Sequence, residues 1–202
     1  VARLSGGVVM SNVQVQTDKQ DAPPAPGGVG APGGDGGAER RGRSPRNSTA
    51  RTTARVSARA RRTLDQLHDK GYNFDVDQRH ELTPEHGWHV DDHCQALPPE
   101  PPGPPVPGGS WEVARGLLER YEFADPDIVR AVYYPDVPLA DRNMVLEGRF
   151  YGLRFLLGLR VGGVNDLTDD EDGRAVRKWG WNYRTLQGHL EMGQMDYEIW
   201  KW

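Results

Sequence analysis

The sequence predicts an α+β domain behind a low-complexity N-terminal region, and three observations carry that reading. Residues 179–202 (WGWNYRTLQGHLEMGQMDYEIWKW) hold four of the six tryptophans. They alternate in character on either side of a Gly-containing polar loop, the pattern of an aromatic β-hairpin. Residues 111–121 put Trp111, Ala114, Leu117, Leu118 and Tyr121 on one stripe, with Glu112, Arg115, Glu119 and Glu122 opposite. That is a core-facing helix. Residues 1–62 are biased to Gly, Pro, Ala and Arg and predict a disordered tail.

Composition narrows the function classes. Gly 25 and Pro 16 are a fifth of the 202 residues, and hydrophobic residues are only 36%, so the globular part is smaller than the chain. Residues 1–63 carry 11 Lys/Arg against 4 Asp/Glu, whereas residues 64–202 carry 14 against 25. An acidic globular part disfavours nucleic acid as its partner, except through the basic tail. Cys94 is the sole cysteine, so no intramolecular disulfide can form. No stretch approaches the roughly 18 apolar residues of a membrane span, and VARLSGGVVM has no signal-peptide h-region. The expectation is a cytoplasmic protein with no membrane partner and no cofactor.

Within the tail, Ala22–Gly37 is Pro/Gly-rich and Glu39–Arg62 is Arg/Ser/Thr/Ala-rich; neither buries enough apolar surface to offset chain entropy. The readings are a basic arm for RNA, DNA or an acidic partner, a plain solvated tail, and an over-extended reading frame. Residues 63–97 form an acidic, His-rich segment. There Thr83-Pro84-Glu85 reads as a helix start, and a helix to Cys94 would align His86, His89 and His93 on one face. His89 and His93 at i, i+4 could share zinc, yet no H-E-x-x-H pattern accompanies them and no core flanks them. The expectation is no bound metal. Residues 98–109, with seven prolines in Leu97–Gly109, predict a polyproline spacer and the domain boundary.

The domain proper then spans 110–202. Ser110 is the expected cap of a helix to about Phe123. Asp125-Pro126-Asp127 reads as the start of a short second helix ending near Tyr134 before Pro135. Met144 to Phe150 and Leu153 to Val161 read as strands, Gly162-Gly163 as a bulge, and Asn165–Gly173 as a solvated acidic turn without EF-hand order. In the final hairpin the face pattern selects one register. Tyr183 faces Met195, Trp181 faces Tyr197 and Trp179 faces Ile199 on an apolar side. Arg184 faces Gln194 and Asn182 faces Asp196 on a polar side.

Tyr183, then Thr185-Leu186-x-Gly188-His189-x-Glu191-x-Gly193, set between two aromatic strands, resembles the signature of the domain-of-unknown-function family numbered nineteen-ninety. The helix Trp111–Tyr121 with its Leu-Leu pair is similar to that family's first helix, so the resemblance covers 110–202. Departures stand at Arg184, Leu190 and Gln194, where glycine, proline and an acid are usual. The resemblance implies a curved antiparallel sheet with one or two packing helices, helix-grip-like, and carries no activity. It also implies a further strand and helix beyond Trp202, so that the outer edge of the last strand is expected to be bare and prone to aggregation.

Three functions fit. The preferred one is a non-catalytic module for an apolar or acidic small molecule, with Asn182, Arg184, His189 and Asp196 as ligand-binding candidates and Arg184 pairing a ligand acid. The second is an enzyme using His189 as general acid or base, oriented by Glu191 or Asp196. The third is an interaction protein working through its tail and proline-rich segment.

Overall fold

The computed structural model describes residues 8–17, 57–150, 152–171 and 173–202, and these lie in one unit. The architecture is α+β, with a curved, unclosed antiparallel sheet. Its seven strands are β1 (Val8–Thr17), β2 (His89–Ala96), β3 (Val129–Val132), β4 (Asn143–Phe150), β5 (Leu153–Glu171), β6 (Arg174–Thr185) and β7 (Met192–Lys201). Their order is β2-β1-β7-β6-β5-β4-β3. Strands β3 to β7 form a meander. Helix α1 (Ala58–Asp65) and helix α2 (Ser110–Arg120) pack on opposite faces.

The hairpin register is the one its face pattern selects: Tyr183↔Met195, Trp181↔Tyr197, Trp179↔Ile199, Arg184↔Gln194 and Asn182↔Asp196. The apolar side packs with Trp111, Ala114 and Leu118 of α2 into the main core. Burying such side chains contributes roughly 1.5–3 kcal/mol each. Tyr121 ends α2 in the left-handed conformation, φ 56°. Its amide and that of Glu122 bond back to Leu118 and Leu117, closing a Schellman-type cap. A non-glycine residue there is strained, and the compensation is packing: the Tyr121 ring meets Tyr197 edge-on at 6.2 Å and Trp181 at 6.4 Å.

On the other face, Ala60, Leu64 and Leu67 pack on Val132, Val145 and Leu186. The Gly162-Gly163 bulge is present as a register shift between Val161 and Gly163.

Several expectations are corrected. Residues 8–17 of the expected disordered tail form β1, which pairs along β7 from Val8↔Lys201 to Thr17↔Met192. The β7 edge is therefore covered, not bare. Ser57 caps α1 and residues 58–62 begin it, and the rest of the tail lies outside the described residues. The helix expected at 125–134 is a turn followed by β3. Asp125 accepts from the Asp127 amide at 2.9 Å, an Asx-turn that imitates a helix start, and the β-branched residues after it pair with β4. The acidic segment 165–171 is strand, not turn, and β5 reaches Glu171 opposite Arg174. Its carboxylates find cations: Asp166 pairs with Arg177, and Asp169 with Lys178 at 3.5 Å.

The helix expected from Pro84 to Cys94 is a single 3-10 turn, Pro84–His86, stopped by Gly87 at φ 82°. His89 and His93 then lie on β2, so the three imidazoles share no helical face. Among the described residues no group of three ligating side chains could hold a metal ion.

The proline-rich segment docks on the domain. Glu100 accepts from the Trp111 amide at 2.7 Å and from the Val106 amide at 3.1 Å. It takes the capping role expected of Ser110, whose hydroxyl instead donates to the Pro98 carbonyl at 2.7 Å. Lys201, its side chain without exposed surface, donates to the Pro101 carbonyl at 2.6 Å and pairs with Glu100 at 3.4 Å. No helix among the described residues is long and apolar enough to cross a membrane.

Candidate functional site

The loop between β6 and β7 carries the family-like motif, and a strap from the N-terminal side of the domain holds it. Gly71 accepts from the Gln187 amide at 2.9 Å, Tyr72 bridges Leu186, and Lys70 donates to the Gln187 carbonyl at 2.9 Å. Asn73 is the main clamp. Its amide nitrogen donates to the Glu191 carbonyl at 2.8 Å, and its amide oxygen accepts from the Thr185 hydroxyl at 2.5 Å. That buried hydroxyl in turn accepts from the Gly193 amide at 2.9 Å. One hydroxyl thus locks both ends of the loop, so a buried threonine here is fully satisfied.

Under the loop opens a pocket of about 70 Å³. Leu146, Leu157 and Met195 form its apolar wall, and Tyr183, Thr185 and His189 line its polar side. Tyr183 belongs to a buried trio with Tyr121 and Tyr197, at ring separations of 6.0 Å from Tyr197 and 6.2 Å between the other two. Burial raises all three phenols, Tyr183 and Tyr197 well above their ordinary range. They stay neutral and act as hydrogen-bonding groups only. The half-buried His189 has its pKa lowered to about 4, because burial disfavours the charged ring more than the Glu191 backbone supports it. Its Nδ1 lies 3.0 Å from both the amide and the carbonyl of Glu191. The imidazole is therefore neutral near pH 7.

The matched family model, described as Domain of unknown function (DUF1990), spans residues 72–201. The chain belongs to the DUF1990 family. No curated protein and no solved structure matches it. The DUF1990 region begins at Tyr72 in the strap, well before residue 110, so residues 72–109 belong to it although the sequence resemblance covered only 110–202. The reason is physical: the strap and the Glu100 cap are what fix the motif loop and α2.

The four sequence candidates do not form one site. His189 is at the pocket, whereas Asn182, Arg184 and Asp196 lie on the opposite face of the sheet from Tyr183. There Arg184 donates to Gln194 at 3.0 Å, and Gln194 donates to both Asp196 oxygens at 2.8 and 2.9 Å. The Arg184 guanidinium also lies over the Tyr72 ring at 5.7 Å, which Arg160 approaches at 5.6 Å. This face is covered by the strap, with Asn182 and Gln194 buried, and is not simply solvated.

Glu191 touches His189 through its backbone. Asp196, the other partner expected for the ring, lies on the opposite face of the sheet. Sequence reasoning missed Asn73 and the tyrosine trio. Thr185 stood inside the quoted motif, and its clamp role was the one signal available.

Proposed function

We propose that this DUF1990 domain is a non-catalytic binding module for a small, uncharged molecule, received at the pocket under the β6–β7 loop. The observation that carries this is the meeting of an apolar wall with neutral hydrogen-bonding groups: Leu146, Leu157 and Met195 face Tyr183 and His189 at one opening. A few placed polar groups on an apolar lining are the usual composition of a ligand site. The size sets a limit. About 70 Å³ is far below the roughly 300–1,000 Å³ of a site that swallows a drug-sized ligand, so the pocket takes one short apolar arm with its polar end.

The charge balance argues against an acid at this site. Glu191 is among the lining residues and no Lys or Arg is, and the His189 ring is uncharged at neutral pH, so no cation is offered to a ligand carboxylate. Arg184, the residue expected to pair such an acid, is bonded to Gln194 on the other face. As Cys94 is the sole cysteine, a reducing compartment such as the cytoplasm suits the chain.

The test is to screen small neutral fragments against wild type and Leu157→Trp, which fills the opening. Binding seen in wild type and lost in Leu157→Trp, with the fold intact by circular dichroism, supports the reading. Equal binding by both, or binding confined to acids, overturns it.

A further inference from the structure

On the face of the sheet that α1 covers, two arginines hold one carboxylate and a third lies beside them. Arg130 stands opposite Glu147 across β3 and β4 and donates to its Oε2 from Nε at 2.9 Å and from Nη2 at 2.5 Å. Arg154 of β5 reaches the other oxygen at 3.5 Å. Glu147 is only 1% exposed, so this one carboxylate is already shared by two guanidinium groups. Arg149 is the third. It lies two residues along β4 from Glu147, hence on the same face, and directly opposite Arg154 across the β4–β5 ladder.

Two features of Arg149 are costly as they stand. Like charges directly opposite on neighbouring strands destabilise a sheet. In addition, the Arg149 Nε is buried and has no hydrogen-bond partner, which leaves a desolvated donor uncompensated. An oxyanion seated between Arg149 and Arg154 offsets the opposed charges, while the Nε, closed off from solvent, stays unpaired. The guanidinium fork presents paired N–H groups that match a phosphate or carboxylate bidentately. Charge selects between those two. Three guanidinium groups less one carboxylate leave an excess of two positive charges, which a phosphate dianion balances and a single carboxylate does not. Access is open, because 61% of the Arg154 side chain is exposed and the neighbouring Ile128 is 47% exposed.

We propose that Arg149 and Arg154, buttressed by the Arg130–Glu147 pair, form a binding site for a phosphate dianion, either free or as a terminal phosphomonoester. The site is distinct from the pocket. Leu146, which lines the pocket, and Glu147 are adjacent on β4 and point to opposite faces.

Thermal melts of the full chain in chloride and in inorganic phosphate, at equal ionic strength and pH 7.5, test this. Phosphate raises the wild-type midpoint through binding to the folded state, and Arg149→Gln abolishes that rise. In chloride alone Arg149→Gln melts at or above wild type, since the opposed charges are relieved, so the two proteins change rank when phosphate is added. Vesicles of phosphatidic acid in phosphatidylcholine separate the sources. Co-sedimentation abolished by Arg149→Gln assigns the phosphate to a lipid headgroup. Phosphate stabilisation without co-sedimentation assigns it to a soluble phosphomonoester. No midpoint rise beyond that in chloride, a rise that survives Arg149→Gln, or a variant melting below wild type in chloride would each overturn the proposal.

Discussion

The Glu100–Lys201 contact predicts a large and separable loss of stability. Lys201 places its ammonium where none of its side chain is exposed, and the facing Glu100 side chain is 5% exposed at 3.4 Å. Glu100→Ala strips the counter-charge and leaves a buried cation, which costs about 3–5 kcal/mol. The same substitution uncaps the Trp111 amide, a loss of about 1 kcal/mol by itself that overlaps with the first. About 4 kcal/mol is the expected total, a large share of the ~5–15 kcal/mol that holds a domain together. Replacing both partners removes the stranded charge, so Glu100→Gln with Lys201→Met should recover much of the loss.

The pH dependence has a definite sign. Burial pushes the Glu100 carboxyl up, but hydrogen bonds from the Trp111 and Val106 amides, Ser110 and Lys201 together hold it below its ordinary 4.5. Its contribution is therefore complete above about pH 4.5 and is lost as pH falls through the lower folded value. Urea denaturation of wild type, Glu100→Ala, Glu100→Gln, Lys201→Met and the Glu100→Gln/Lys201→Met double variant at pH 7 and at pH 4 measures all of this. A loss under about 1 kcal/mol for Glu100→Ala, or simple additivity in the double variant, would refute the buried-pair reasoning.

Other outcomes follow from the same geometry. The His189 ring should titrate near pH 4 and not near 6.5 by NMR. Because its folded pKa is depressed, its share of stability is present above about pH 6.5 and fades as pH falls toward 4; a free-histidine titration would contradict the burial. Gly162→Ala should destabilise by about 1–3 kcal/mol, since its Cβ would stand on Asn182 Oδ1 and 2.6 Å from Arg184 Nε, and an unchanged urea midpoint would deny the close packing under the bulge. Deleting Val8–Thr17 should expose the β7 edge now paired with β1 and promote self-association. A deletion variant that stays monomeric by light scattering, with an unaltered melt, would place β1 outside the stable sheet. Thr185→Val should cost about 1–3 kcal/mol by leaving the buried Gly193 amide unpaired, read in the same denaturation series.

The hairpin was legible because its alternation leaves one workable register: a slip by one residue would bury Arg184 and expose Trp181. The α2 stripe was legible for the same reason, as period and chemistry agreed. Where local signals imitate one another, the reading failed. Asp125-Pro126-Asp127 caps a turn as readily as a helix, and only pairing with β4 decides for strand. The acidic stretch 165–171 looked like a turn, yet Arg177 and Lys178 pair with it across the ladder and Arg115 reaches it from α2. Gly173, at φ 75° between the paired Glu171 and Arg174, marks where that turn lies.

At the site, His189 was visible from its motif, whereas its separation from Arg184 was not, because His189 lies in the loop beyond β6, where strand alternation no longer assigns a face. The strap at Lys70–Asn73 and the cap from Glu100 had no signature at all. The strap contacts lie more than 100 residues apart in sequence, whereas Glu100 caps Trp111 from 11 residues away, and composition alone made residue 100 look like part of a spacer.

The most direct test of the binding account uses the methionines as reporters. Met192 and Met195 line the pocket, whereas Met144 is fully buried in the core and serves as the internal control. With ¹³C-methyl methionine labelling, titration with a short neutral alcohol or amide should shift the Met192 and Met195 signals in a saturable way, leave Met144 in place, and lose its effect in Leu157→Trp. Shifts that do not saturate, or that move Met144 as much as Met195, or that persist when the opening is filled, would contradict a ligand site under the β6–β7 loop.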